Sequence, residues 1–205
     1  MPTEILDGVY DITCTEVDGA PGRIRAYLTD GGTLVDTGLP DSTTALLDGI
    51  DATGIDLERV VITHMHPDHT GGIDAVLGSY DADLYLPVGA DPEETPPVDH
   101  FYGDGDTVGP FEAVHVPGHV GHQHALIATD DDYAILADAV SGADQRGLAG
   151  GFHLPPEKFT QDLGQAERSL EKLRAYEFDA GLVFHGSSVL SEASATLDRY
   201  VLPAE

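Results

Sequence analysis

The run "VVITHMHPDHTGG", Val60 to Gly72, constrains this chain more than any other stretch. Its β-branched start reads as a buried strand, and the strand stops where His64, His66, Asp68 and His69 begin. Four imidazole or carboxylate groups in six residues at a strand end sit where a rigid scaffold holds side chains at fixed spacing. Chance surface histidines do not account for that pattern. In an extended loop His64 and His66 project to one side and can share one cation, whereas Asp68 and His69, where the chain turns into the next helix, can face a second.

The same type of side chain closes other predicted strands. His119 follows "AVHVPG", Asp138 follows "YAILA", His185 follows "GLVF", and Asp36 ends "TLVDTG". Assigning His64, His66 and His119 to one ion and Asp68, His69 and His185 to the other, with Asp138 between them, gives seven ligands. That is enough for two metals and leaves room for water. Nitrogen and oxygen donors without thiolate suit zinc, iron or manganese, zinc first. Asp36 reads as a residue that orients the ligand loop. His153, after a glycine-rich stretch, is a candidate for substrate contact. His122 or His124 could support the site, but a hydrogen-bonded strand histidine is the simpler account. His100 and His115 read as structural or exposed, and Tyr102 and Cys14 offer no functional case.

The surrounding pattern is mixed α/β. Alternation over Ile5 to Ile12, a turn at Asp18-Gly19, Ile24 to Leu28 and a turn at Asp30-Gly31-Gly32 predict an antiparallel meander. Asp41 or Ser42 can cap a helix whose apolar positions are Ala45, Leu46, Leu47 and Ile50, ended by Gly54. A short helix is expected over Gly72 to Leu77, then a strand at "DLYLP" and an acidic, Pro-rich surface loop, Asp91 to Pro97. Further strands are expected at Phe111 to Val116, His124 to Thr129, Tyr133 to Leu136 and Gly181 to Phe184. Helices are expected at Thr160 to Tyr176 and Ser191 to Tyr200, and Ser141 to Gly151 reads as a loop over a site. Each half offers strands followed by helices, which suits two sheets packed face to face with helices outside.

Composition bounds the rest. A chain of 205 residues with 41% hydrophobic content closes one core of ordinary size, so one domain over 1–205 is expected, with two fused half-units as the alternative. The single cysteine excludes an internal disulfide framework. Asp7, Asp11, Glu16 and Asp18 stand where a signal peptide would need a basic, then apolar, start, and nothing approaches a membrane span, so a cytoplasmic protein is expected. Against 37 acidic residues stand 9 basic ones, a formal net charge of −28, scattered along the chain rather than gathered in a tail. Such a coat resembles that of salt-adapted halophile proteins, in which molar salt shortens the screening length to about 3 Å and relieves self-repulsion.

"THMHPDHTGG" resembles the HxHxDH signature of the metallo-β-lactamase superfamily. "LVDTG" is similar to that family's first motif, "VPGH" to its third, "LADA" to its fourth and "FHG" to its fifth, in the family's order from Asp36 to His185. Two positions depart from the pattern: Ala137 stands where the family usually has Gly, and Phe184 precedes His185 where Gly is usual. The resemblance, to the glyoxalase II-like and ribonuclease Z-like branch, implies a four-layer αββα sandwich with the metal site at one edge of the two sheets.

A dinuclear site implies hydrolysis. Two ions about 3.5–4 Å apart acidify a shared water and polarise an acyl or phosphoryl oxygen, and a metal-bound hydroxide then attacks, with Asp68 holding the water and shuttling its proton. A small-molecule thioester, ester or lactone is the expected substrate. Nucleic acid is disfavoured, because so few basic residues make a poor track for phosphates, which leaves phosphodiester or RNA hydrolysis second. A mononuclear-iron oxidoreductase resembling persulfide dioxygenases needs only two His and one Asp, so the complete second ligand set argues against it. A metal-binding protein without turnover is the remaining class.

Overall fold

A computed structural model describes residues 1–16, 22–93, 95–142 and 151–200. The chain divides into two compact units, the first holding the described residues up to Tyr102 and the second those from Gly103 onward.

The first unit is a seven-stranded sheet in chain order: β1 (Thr3–Leu6), β2 (Val9–Glu16), β3 (Arg23–Thr29), β4 (Thr33–Val35), β5 (Arg59–Val61), β6 (Asp83–Pro87) and β7 (His100–Tyr102). The first four form the expected antiparallel meander, and β4 to β7 run parallel. Its expected turn at Asp18-Gly19 lies outside the described residues. Parallel neighbours need crossovers, and helices supply two of them: α1 (Thr43–Thr53) between β4 and β5, and α2 (Pro67–Thr70) with α3 (Ile73–Ser79) between β5 and β6. Leu46 and Ile50 of α1 and Ile73 and Val76 of α3 bury against Ile12, Leu28, Val60, Ile62 and Leu84 of the sheet. Leu47 is only half-buried and Ala45 is exposed, because at 3.6 residues per turn they fall to the side of the Leu46–Ile50 stripe. Gly54 ends α1 in the left-handed conformation, φ 69°. Ser42 precedes the helix without capping it, since its hydroxyl donates to Leu39 O at 2.9 Å and accepts from Leu39 N at 3.0 Å.

The second unit centres on a five-stranded sheet. β8 (Thr107–Val108), β9 (Phe111–His115), β10 (His124–Ala128) and β11 (Tyr133–Ala137) are antiparallel in succession. The last strand, β14 (Ala180–Val183), joins β11 in parallel. Between them β12 (Ser141–Gly142) and β13 (Phe152–His153) form a small ribbon. Residues 143–150 of the expected glycine-rich loop lie outside the described residues. The helix expected from Thr160 begins later, as α4 (Leu163–Ser169), and tightens into a 3-10 segment at Leu170–Ala175. Asp162 caps it, accepting from Gln165 N at 2.8 Å. Helix α5 (Ala193–Tyr200) closes the described chain. Leu170, Leu173, Ala193 and Leu197 pack with Ala125, Ile127, Leu136 and Val183 as the core of this unit. Among the described residues no helix is long and apolar enough to cross a membrane.

Strand direction gathers the candidate ligands within each unit. Because β4 and β5 are parallel, with Val35 opposite Val61, Asp36 and the Thr63–His64 step leave the same sheet edge side by side. Likewise β11 and β14 are parallel, which sets Asp138 beside His185, and β9 runs in the same direction two strands away, sending His119 to that edge.

Candidate metal centre

In the first unit the ligand loop hangs on one buried carboxylate. Asp36, fully buried with φ 58°, accepts from Thr63 N at 2.7 Å, Thr63 Oγ1 at 2.7 Å and His69 Nδ1 at 2.6 Å. Burial pushes its carboxyl above the ordinary value, against the downward pull of His69 and Thr63. These bonds select tautomers. A carboxylate only accepts, so His69 carries its proton on Nδ1 and presents Nε2 as a ligand atom. The Thr63 hydroxyl proton is committed to Asp36, so across 3.2 Å the hydroxyl accepts from His64 Nδ1 and His64 also presents Nε2. That Nε2 lies 3.1 Å from His66 Nδ1. Two nitrogens each about 2.0–2.1 Å from a tetrahedral ion stand roughly 3.3 Å apart, so the pair fits one cation. Asp68, half-buried, is on α2 next to buried His69. Asp36 thus ties Thr63 and His69, the two ends of the ligand loop, to the strand end after β4.

The Gly71-Gly72 pair explains the end of the motif. A Cβ on Gly71 would strike Pro40 and one on Gly72 the carbonyl of Thr37, so only glycine lets α2 and α3 approach the loop after β4. Thr37 completes the clamp, its amide and hydroxyl both donating to His69 O at 2.8 and 2.9 Å.

In the second unit Asp138 Oδ2 lies 3.3 Å from His119 Nε2 and 3.3 Å from His185 Nε2. One carboxylate oxygen equidistant from two imidazole nitrogens, at the spacing of ligands around an ion, suits a shared ligand. All three side chains are buried. Ala137, at the position where glycine is usual, has φ 47°, and the β11–β14 register shifts between Ile135 and Ala137. The left-handed residue kinks the strand end and costs about 1–2 kcal/mol in a residue with a Cβ. Phe184, the other departure, is fully buried and leaves the His185 backbone in place, with Gly142 N donating to His185 O at 2.8 Å. His153 is buried on β13, donates from Nδ1 to Leu154 O at 2.6 Å, and pairs across the ribbon with Ser141.

The other histidines follow their structural readings. His124 Nδ1 donates to His122 O at 3.0 Å, and burial pushes the His124 pKa down to about 4. His115 bonds Gly121 O at 2.8 Å, and exposed His100 stacks on Tyr85. Tyr102 does more than the sequence indicated: fully buried, it donates to Ile62 O at 2.7 Å and braces the strand just ahead of His64. Thr63 was also missed, although its place immediately before the first histidine was the available signal.

Residues 24–185 match the metallo-beta-lactamase superfamily. The chain belongs to this superfamily. It is 31% identical over 170 residues to a hydroxyacylglutathione hydrolase of Shewanella loihica, covering 78% of this chain and 63% of that protein. It is 26% identical over 214 residues to the lactamase-like protein adaB of Aspergillus niger, covering 96% of this chain and 61% of the relative. The chain thus spans about three fifths of the length of these curated relatives. Among solved structures, the DIM-1 metallo-beta-lactamase superposes with a TM-score of 0.73 at 18% identity, over 98% of this chain and 94% of that one. The fold is that of the metallo-beta-lactamases, the αββα class that the motif order implied. This superfamily uses divalent metal ions, and the clusters in both units are made of the side chains such ions take.

Proposed function

We propose that this superfamily member is a cytoplasmic metal-dependent hydrolase acting on a small-molecule thioester, ester or lactone. His64, His66, Asp68 and His69 of the first unit and His119, Asp138 and His185 of the second are the residues that would hold divalent ions, zinc first. The observation that carries the proposal is the spacing of donor atoms inside each cluster: 3.1 Å for His64 Nε2 and His66 Nδ1, and 3.3 Å for each histidine of the Asp138 pair. Bound divalent ions supply an acidified water and polarise the acyl oxygen. Asp68, on the first turn of α2, accepts the attacking water's proton on a carboxylate oxygen and returns it to the departing thiolate or alkoxide. Asp36 holds a proton on His69 Nδ1, which leaves Nε2 as the ligand nitrogen. His153 is assigned to substrate contact.

An acyl substrate is favoured by the relative whose name includes hydroxyacylglutathione and by the charge of 37 acids against 9 bases, which opposes a polyphosphate track. Within the first unit a groove of about 590 Å³ borders the ligand loop. Its wall combines Pro40, Met65, Pro67 and Ile73 with the carboxylates Asp74, Asp91 and Glu93, and includes no Lys or Arg. Such a wall repels an anionic carrier such as glutathione and accepts a neutral acyl group. The test is metal analysis combined with chromogenic thioester, lactone and phosphodiester substrates in molar KCl. Two ions per chain with thioester or lactone turnover is the expected result. One iron per chain, or phosphodiester turnover alone, would replace the proposal.

A further inference from the structure

We infer that Thr160 is a positioning residue for His119, holding its imidazole in the tautomer that presents Nε2. The argument begins with a hydroxyl proton. Thr160 Oγ1 lies 3.0 Å from Pro156 O, and a carbonyl can only accept, so the hydroxyl donates there. The same oxygen lies 3.3 Å from His119 Nδ1, at the long end of an N–H···O bond. With its proton spent, the hydroxyl can serve the imidazole only as an acceptor. His119 is thus set to donate from Nδ1, which leaves Nε2, 3.3 Å from Asp138 Oδ2, for a cation held between that nitrogen and the carboxylate.

The surrounding backbone makes this a built arrangement. Gln161 N donates to His119 O at 3.0 Å and Asp162 N to Gly118 O at 2.9 Å, which sets Thr160 in register with the ligand. Ser169 Oγ, at the end of α4, donates to Pro117 O at 2.6 Å. Gly118, at φ 136°, lies so close to Ala166 that a Cβ would strike the Ala166 backbone. Pro117, Gly118 and His119 are thus each tied to the segment that carries Thr160 and α4. The hydroxyl relay repeats, in a distant stretch of sequence, the logic of Thr63 and His64: a threonine whose proton is committed elsewhere accepts from the Nδ1–H of a ligand histidine. An outer partner of this type raises ligand basicity and removes the entropy of ring flipping.

The inference rests on His119 acting as a ligand, as proposed above, and the experiment separates the two. In the full-length chain, 15N-labelled at histidine and loaded with zinc, His119 is expected to carry a slowly exchanging proton on Nδ1 and to bind through Nε2. In Thr160→Val, which removes the hydroxyl but little volume, that Nδ1 proton exchanges faster. Zinc affinity, by competition with a chromophoric chelator, falls about 10- to 100-fold. Thr160→Ser, which keeps the hydroxyl, restores both readings. Wild-type His119 bound to zinc through Nδ1 overturns the inference without any variant, as does a Thr160→Val chain with unchanged proton exchange and affinity. A wild-type chain that binds no zinc but holds a slowly exchanging His119 Nδ1 proton, lost in Thr160→Val, refutes the metal proposal alone.

Discussion

The two ligand clusters are held by different means. In the first unit His64 and His69 trace back to a single buried carboxylate, Asp36, through charge-assisted bonds of 2.6–2.7 Å. In the second, His119 is oriented by a neutral hydroxyl and a backbone carbonyl, through bonds of 3.0–3.3 Å. Charge-assisted bonds are about twice as strong as neutral ones, so the first cluster is expected to be a structural keystone as well as a ligand set. The second should depend on strand ends and main-chain ties more than on any one side chain.

The largest expected effect tests that keystone. Asp36→Ala leaves Thr63 N, Thr63 Oγ1 and His69 Nδ1 buried without their acceptor. A loss of about 3–5 kcal/mol is expected in the metal-free chain by denaturant unfolding. Asp138→Ala should impair metal binding yet change metal-free stability by less than about 1.5 kcal/mol, since it removes a carboxylate set between two imidazole nitrogens rather than three donors' common acceptor. Equal losses in the two variants would erase the contrast.

A smaller effect appears on acidification and belongs to the second unit. His124 is neutral in the folded chain down to about pH 4, because burial opposes its charge, whereas the unfolded chain protonates it near 6.5. The unfolded state therefore binds the extra proton between these values. Its contribution is present in full above pH 6.5 and is lost as pH falls toward 4, about 2–3 kcal/mol in total. His124→Gln should flatten the stability curve over that window, and an unchanged slope would show that other groups govern acid sensitivity.

The smallest expected difference concerns salt. The residues up to Tyr102 include 20 acids and 3 bases, and those from Gly103 include 17 acids and 6 bases. On moving from molar to millimolar KCl, amide exchange should accelerate in both units, and in the first by an extra amount below about 1 kcal/mol. Thermal melts that do not respond to KCl would mean that the acidic surface has a purpose other than salt adaptation.

What the residues determined alone was the local chemistry: a β-branched strand ending in "HMHPDH", a ligand type after three of the later strands, and the meander and helices that alternation and glycine punctuation encode. These depend on neighbours along the chain. The departure at Ala137 was visible as a residue, whereas its left-handed conformation, φ 47°, came only with the structure. The short elements β7, β8, β12 and β13 escaped, since two or three residues carry no period and pair only when a partner strand is in place. Thr63, Tyr102 and Thr160 escaped for a related reason. A hydroxyl has no preferred role in sequence; where its proton goes depends on which carboxylate, carbonyl or imidazole the fold brings within about 3 Å. Strand direction, which brings Asp36 to Thr63 and Asp138 to His185, comes from sheet pairing at sequence separations of 27 and 47. Only the tertiary structure could decide that, because such pairing is selected by burial of the whole sheet.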